Sequence, residues 1–405
     1  MNMLYPDPSK TYGCPDTPET GGCPGNADMF CCPGTIKIKK AVYYDISPIP
    51  LPVPFKDGTG GIRRASFFKG WIKLYDDEGF CGQGPAGPLM TDFFVPRLLE
   101  GEGRSNGEWI QYFWWEIRNF GYQSPYVPEM CNLDWLLLDL LANRAVKPLH
   151  RFLGAGRDWA GVYKGGGSVL LSDEKLLEDL IRFKDEGYKI TKFKIGGNGT
   201  DWSQDIRRLE KARLALGNEF GIAVDANQAW DADTAFAFAR EAAPLNPAWL
   251  EEPVHAYDME SLQNLRNMLD EGGISMEIAM GESVRSYHTH VAYAEHGVDH
   301  LQPARLYRIA ENMRVRDYAH RHGCTISTGG FTFQNAALGA LYSENELLEY
   351  HQPLNEVLVP YFSLVSEMKD GRFYLPDAPG LPVHLDFERL EHDGLLKGVQ
   401  YYYRT

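Results

Sequence analysis

An α/β architecture, a modified TIM barrel of the (β/α)7β type beside an α+β capping domain, follows from three features of the chain. Beyond Val162, short apolar, β-branched runs alternate with helical patterns at about the length of one βα unit. An acidic residue closes several of these runs: VDANQAW carries Asp225, WLEEPV carries Glu251 and Glu252, and AMGES carries Glu282. The steps from Lys194 to 225, 251 and 282 are 31, 26 and 31 residues, which keeps that beat. Finally, KITKFKIGG puts Lys192 and Lys194 on one face of a strand and Phe193 on the other, because alternate side chains of an extended segment share a face. Polar groups crowding successive strand ends are the arrangement of a parallel barrel with its chemistry at the C-terminal mouth.

Taken in order, residues 1–34 are rich in Pro, Gly and Cys, show no period, and read as an irregular arm. Cys14, Cys23, Cys31 and Cys32 lie in it, without the paired C-x2–4-C spacing or the histidine of a zinc ribbon. Residues 35–155 are expected to form the cap. TIKIKKAVYYDIS and ASFFKGWIKLYDDEGFCGQG alternate apolar and polar residues, with Asp76-Asp77-Glu78-Gly79 as a turn. The intervening SPIPLPVPFKDGTGGIRR reads as a mobile flap that closes over a ligand. Helical patterns follow in LMTDFFVPRLLEG, NGEWIQYFWWEIRNFG and NLDWLLLDLLANRAVKPLHRFLG. The barrel is expected over 156–355, with strands near 160–164, 189–195, 221–226, 248–252, 275–281, 298–304, 324–328 and 347–351. Among the helices between them, SDEKLLEDLIRFKDEG opens with Ser172 as N-cap. Residues 356–405 return to strand and loop character and are expected to fold back onto the cap.

Composition excludes several roles. A net charge of −15 removes the basic footprint that nucleic-acid binding requires. No apolar run approaches the roughly 20 residues that span a bilayer, since even WLLLDLLANRAV is broken by Asp139. The first residues, MNMLYPDPSK, lack the basic and apolar regions of a secretory signal, so a cytoplasmic location without disulfides is expected. Cys81, Cys131 and Cys324 are scattered and read as packed thiols.

Asp225, Glu251 and Glu282 offer three hard oxygen ligands on successive strands, with no soft ligand beside them. That set suits Mg²⁺, with Mn²⁺ as a substitute. Singly, each acid could instead cap a helix or pair with a surface lysine. A divalent cation on a substrate carboxylate stabilises the enediolate left when the α-proton is removed. Lys194, nearest the strand end, is the candidate base. Lys192 and the cation, both positive, would favour its neutral amine, and Lys192 would also contact the substrate carboxylate. Asn227 shares the face of Asp225 and suits either a hydrogen bond to the substrate or to a metal ligand, or a turn. Glu252 faces the helices as a structural partner, and Glu349 points inward on the last strand, to orient the substrate or to form an ion pair. Lys164 and Ser168 are read as loop residues bearing on substrate selection.

KFKIGG, VDANQAW, WLEEP and MGES, in this order and spacing, resemble the enolase superfamily, and within it the mandelate racemase-like group that includes acid-sugar dehydratases. The resemblance spans residues 36 to 400, and STGGFTFQNAALGALYSENELLEYHQP through LPDAPGLP is most similar to D-tartrate dehydratase-like members. It implies a homo-oligomer, a dimer or an octamer, acting on a small carboxylate such as a sugar acid. Two departures stand out. Where the group carries an aspartate after the sixth strand and a histidine on the seventh, this chain has Ala304 and Thr328. Arg305, Tyr307, His255 and His351 are the residues at hand to replace them, whereas His300, toward the closed end, reads as a core histidine. Loss of one base argues for elimination of water rather than racemisation, which needs proton donors on both faces. A racemase, epimerase or cycloisomerase using Arg305 or Tyr307, and a catalytically silent binder of metal and anion, remain the alternatives.

Overall fold

A computed structural model describes Phe30, Cys32 and residues 34–66, 70–304, 306 and 308–405. Cys14, Cys23, Cys31, Arg305 and Tyr307 lie outside the described residues. The cap begins with β1 (Ile38–Ile46), followed by the hairpin β2 (Pro50–Lys56) and β3 (Ile62–Ala65), then β4 (Gly70–Asp76) and β5 (Cys81–Pro85). Three helices, α1 (Val95–Glu100), α2 (Asn106–Ile117) and α3 (Tyr126–Arg144), cover one face of that sheet, and the short α4 (Leu149–Phe152) leads away. Ile38, Ala41, Ile72 and Leu74 from the sheet meet Phe94, Trp109, Phe113 and Leu137 from the helices in one buried cluster. The alternation of the strands and the apolar faces of the helices thus bury against each other, as such faces must. Ser105 and Glu108 close a capping box at the start of α2. Asp139, the acid that interrupts the apolar run of α3, is fully buried and accepts the backbone N–H groups of Gln83 and Leu381, each at 2.7 Å.

The barrel strands are β6 (Trp159–Gly165), β7 (Ile190–Lys194), β8 (Gly221–Asp225), β9 (Leu250–Glu251), β10 (Ile278–Met280), β11 (His300–Leu301), β12 (Thr325–Thr328) and β13 (Leu347–His351). Each pairs in parallel with the next, and β13 returns to pair with β6, closing the ring. Seven helices separate them: α5 (Asp173–Asp185), α6 (Ser203–Leu216), α7 (Ala232–Ala242), α8 (Met259–Glu271), α9 (Tyr287–Glu295), α10 (Ile309–His322) and α11 (Thr332–Gly339). Every strand falls where the apolar runs lead one to expect it. Outward residues such as Phe193, Ile222, Leu250 and Ile278 pack under those helices, while Tyr163, Ala223, Trp249 and Ala279 fill a layer inside the ring. Ser172 caps α5, its hydroxyl accepting the Lys175 N–H at 3.2 Å.

After the barrel come β14 (Phe362–Leu364), β15 (Glu367–Lys369), β16 (Arg372–Tyr374), β17 (His384–Leu385) and β18 (Leu396–Tyr403). The β15–β16 hairpin extends the barrel sheet antiparallel to β6, through Arg372 opposite Gly161. β18 joins the cap, pairing along β1 from Lys40–Tyr403 to Ile46–Leu396. The segment read as a flap is a hairpin with ladder pairing between β2 and β3, not a structureless loop. Its end is fixed to the loop after β6: the Lys56 N–H donates to the Ser168 hydroxyl at 2.8 Å, and the Val169 N–H donates to the Lys56 carbonyl at 3.0 Å. Among the described residues no helix is long and apolar enough to cross a membrane.

Candidate active site

Alternation along β7 sends Lys192 and Lys194 into the barrel, where both are buried. The parallel register sets Lys194 beside Asp225, and Asp225 beside Glu251. Lys194 Nζ donates to Asp225 Oδ2 at 2.5 Å. Lys192 Nζ donates to Glu251 Oε1 and, at 3.2 Å, to Glu349 Oε2, and lies 3.5 Å from Asp225 Oδ2. Carboxylate oxygens of Asp225, Glu251 and Glu282 all lie within 4.8 Å of one another. The residues expected at the site from the sequence, Lys192, Lys194, Asp225, Glu251, Glu282 and Glu349, therefore meet in one cluster at the strand ends.

Four buried or partly buried carboxylates face two ammonium groups in that cluster, which leaves an excess of negative charge. The effect is legible in their protonation. Burial alone would raise Asp225, but the ammonium groups of Lys194 and Lys192 outweigh it and hold the carboxyl down at about 2. Burial, with Asp225 beside it, pushes Glu251 well above the usual carboxylate range, and burial raises Glu282 as well. Glu349 is opposed by burial yet kept low by Lys192 and Lys194, so it forms the ion pair rather than acting as a protonated donor. Lys194 departs from expectation. Burial disfavours its charge, but Asp225, then Glu282 and Glu349, hold its amine above the ordinary lysine range. A divalent ion held by these acids would offset the negative charge that keeps the amine protonated.

The hard-oxygen set, its spacing and its unbalanced charge fit a divalent cation. Residues not singled out from the sequence hold that set in shape. Trp249 Nε1 donates to Glu251 Oε2 at 2.9 Å, and Gln302 Nε2 donates to the same oxygen at 2.7 Å. Trp249 was visible in principle, being two residues before Glu251 and hence on its face; Gln302 carried no local signal. Asn227 takes a turn conformation and bonds two of the acids: its backbone is left-handed, φ 45°, and its N–H donates to Asp225 Oδ1 at 2.8 Å while Nδ2 reaches Glu282 Oε1 at 3.3 Å. Gln228 (φ 65°) binds the buried Glu252, which burial pushes up to about 8. Gly165 lies against the Glu349 carboxylate, where a Cβ would come within 2.0 Å of Oε1.

Other expected residues lie elsewhere. Lys164 is in β6 rather than a loop and points outward, 4.5 Å above the Tyr350 ring and 3.9 Å from Glu186, because it alternates with the inward Tyr163 and Gly165. Ser168 ties down the hairpin rather than lining the cluster. His255 is exposed, and its Nδ1 accepts the Tyr257 N–H. His300 is a core histidine, stacked on Trp249 and bonded at both ring nitrogens to Thr325 and Ser327. Ala304 is buried, and Thr328 donates its hydroxyl to the Pro303 carbonyl.

A profile of enolase C-terminal domain-like proteins matches residues 175–390. The chain belongs to the enolase superfamily, in its mandelate racemase-like branch. Among curated relatives, the L-talarate/galactarate dehydratase of Salmonella typhimurium is 32% identical over 271 residues, which cover 66% of this chain and 65% of that protein. The 3,6-anhydro-alpha-L-galactonate cycloisomerase of Streptomyces coelicolor is 28% identical, over 85% of this chain and 96% of its own length. In structure, the Salmonella dehydratase liganded with Mg and L-lyxarohydroxamate superposes with a TM-score of 0.76 over 96% of this chain and 99% of its own, at 24% identity. A Streptomyces coelicolor racemase with bound magnesium gives the same score over 88% and 99%.

Proposed function

We propose that this enzyme is a Mg²⁺-dependent dehydratase of a sugar acid or other hydroxy acid. The observation that carries the reading is the convergence of two buried lysines and three mutually adjacent carboxylates at the barrel mouth. The dehydratases among the relatives, acting on talarate or galactarate, arabinonate and gluconate, favour elimination. Asp225, Glu251 and Glu282 would hold the cation, which supplies a Lewis acid to the substrate carboxylate when bound. Lys194 takes the α-proton. Lys192, held between Glu251 and Glu349, keeps a fixed positive charge beside the developing enediolate. Asn227 keeps Asp225 and Glu282 in register. Mn²⁺ is proposed as a working substitute, and a cytoplasmic homo-oligomer, dimer or octamer, as the working form.

A second reading, cycloisomerase or racemase, is favoured by a cycloisomerase relative that aligns over 85% of this chain and 96% of its own length. Incubation with Mg²⁺ in deuterated water and a panel of L-talarate, galactarate, arabinonate and gluconate separates the two. Release of a 2-keto acid is expected; deuterium at the α-carbon without release supports the second reading. Neither result, under conditions where Mg²⁺ binds, overturns both. Chelation is expected to abolish turnover, and Mg²⁺ or Mn²⁺ to restore it.

A further inference from the structure

His351 ends β13, two residues beyond Glu349, so its side chain faces the barrel mouth like the carboxylate that Lys192 holds. Its Nδ1 is buried and has no hydrogen-bond partner within the protein. Buried ring nitrogens of His150, His290 and His384 are unpaired as well; what sets His351 apart is that Glu349, Lys194 and Lys192 of the site act on it. His300, in the same barrel, has both ring nitrogens bonded. The His351 ring meets Phe55 of the β2–β3 hairpin edge-on, with centroids 4.7 Å apart, so the hairpin covers it from the solvent side. On the other side it lines a cavity of about 370 Å³ between cap and barrel, shared with Thr328, Asn335 and Gln334, whose Oε1 is also buried without a partner. Neither Ala304 nor Thr328 can move a proton there: one has no proton to give, and the other's hydroxyl is engaged with Pro303.

We propose that His351 is the second proton-transfer group of this site, the acid that protonates the departing hydroxyl. The proposal rests on the dehydratase reading above. Lys194 takes the α-hydrogen as a proton and leaves its electron pair on the α-carbon. That pair becomes the carbon–carbon double bond as the β carbon–oxygen bond breaks. The oxygen keeps the bonding pair, takes the His351 proton and departs as water; the enol then loses its hydroxyl proton to solvent and gains one at the β-carbon to give the 2-keto acid. The groups that act on the imidazole are Glu349, Lys194 and Lys192 from the barrel and Arg63 from the hairpin. Burial, helped by the three cations and opposed by Glu349, holds it down at about 4, so in the free protein the ring is neutral. Its proton is therefore taken up with the anionic substrate, whose charge offsets those cations.

The test uses the full protein with Mg²⁺ and whichever acid of the panel it dehydrates, comparing wild type with His351→Asn and His351→Gln. Both variants are expected to keep α-deuterium exchange within a few-fold and to lose 2-keto acid release by on the order of 100-fold or more. A substrate analogue with fluoride in place of the β-hydroxyl needs no acid, so it should restore elimination in the variants. Two further readouts are proton uptake on binding in an unbuffered titration and its loss in the variants. Equal loss of exchange and release in both variants, or release unchanged, overturns the proposal. Absence of both in wild type instead overturns the dehydratase reading itself.

Discussion

Lys192 has no exposed side-chain surface and is shared among Asp225, Glu251 and Glu349. Removing one partner of a buried charge cluster leaves the others uncompensated, at about 3–5 kcal/mol. Lys192→Met should therefore lower the melting temperature sharply in EDTA and much less in Mg²⁺, because the cation neutralises the same acids; melts in the two buffers check this. Lys194→Ala is expected to cut α-deuterium exchange by at least about 100-fold while leaving Mg²⁺ binding by calorimetry in place. At this scale the sequence was generous with the charged residues. The lysines and acids lie at a strand end or within two residues of one, and strand periodicity puts those that share a strand on one face. It was silent about Gln302 and expected a neutral Lys194 where the neighbouring acids raise the amine, because both depend on which side chains from distant strands meet across the barrel. It misplaced Lys164, since one residue of shift in a strand turns a side chain from the mouth to the helix layer.

The β2–β3 hairpin docks by its tip. A Cβ on Gly58 would lie 2.1 Å from the Ala226 carbonyl, directly after Asp225 of the acidic cluster, and backbone cannot yield as a side-chain end can. Overpacking of this kind costs about 1–3 kcal/mol, and at 1.4 kcal/mol per tenfold it corresponds to about 5- to 150-fold in apparent affinity. Gly58→Ala is thus expected to raise KM by that order with little change in melting temperature, and limited proteolysis should cut the hairpin faster in the variant. From the sequence this stretch read as a loop, since Pro and Gly are weak strand formers. The ladder forms because Lys56 is gripped by Ser168 and Val169, a tertiary contact that local pattern does not carry.

For the whole molecule, histidines buried without charge cost stability in acid, while carboxyls that burial raises, Asp139 to about 7 and Glu252 to about 8, act with the opposite sign. Burial, helped by Lys192, holds His300 down at about 3, and burial holds His290 at about 4. Between those values and the ordinary 6.5 these two rings bind more protons in the unfolded chain than in the folded one, so their contribution to stability rises with pH and falls on acidification. At pH 5 each ring costs about 2 kcal/mol relative to pH 7. Replacing His300 by Gln should flatten the fall by that amount, whatever it does to stability at pH 7; denaturant melts at both values read the difference. One last consequence lies in the pairing of β1 with β18. The ribosome makes β18 some 350 residues after β1, about 18–70 s later at ~5–20 residues per second. Throughout that interval the β1 edge, which carries Val42, Tyr43 and Tyr44, has no neighbour on that side, and the emerging polypeptide must be shielded there from sticking to its sister chains on the same message.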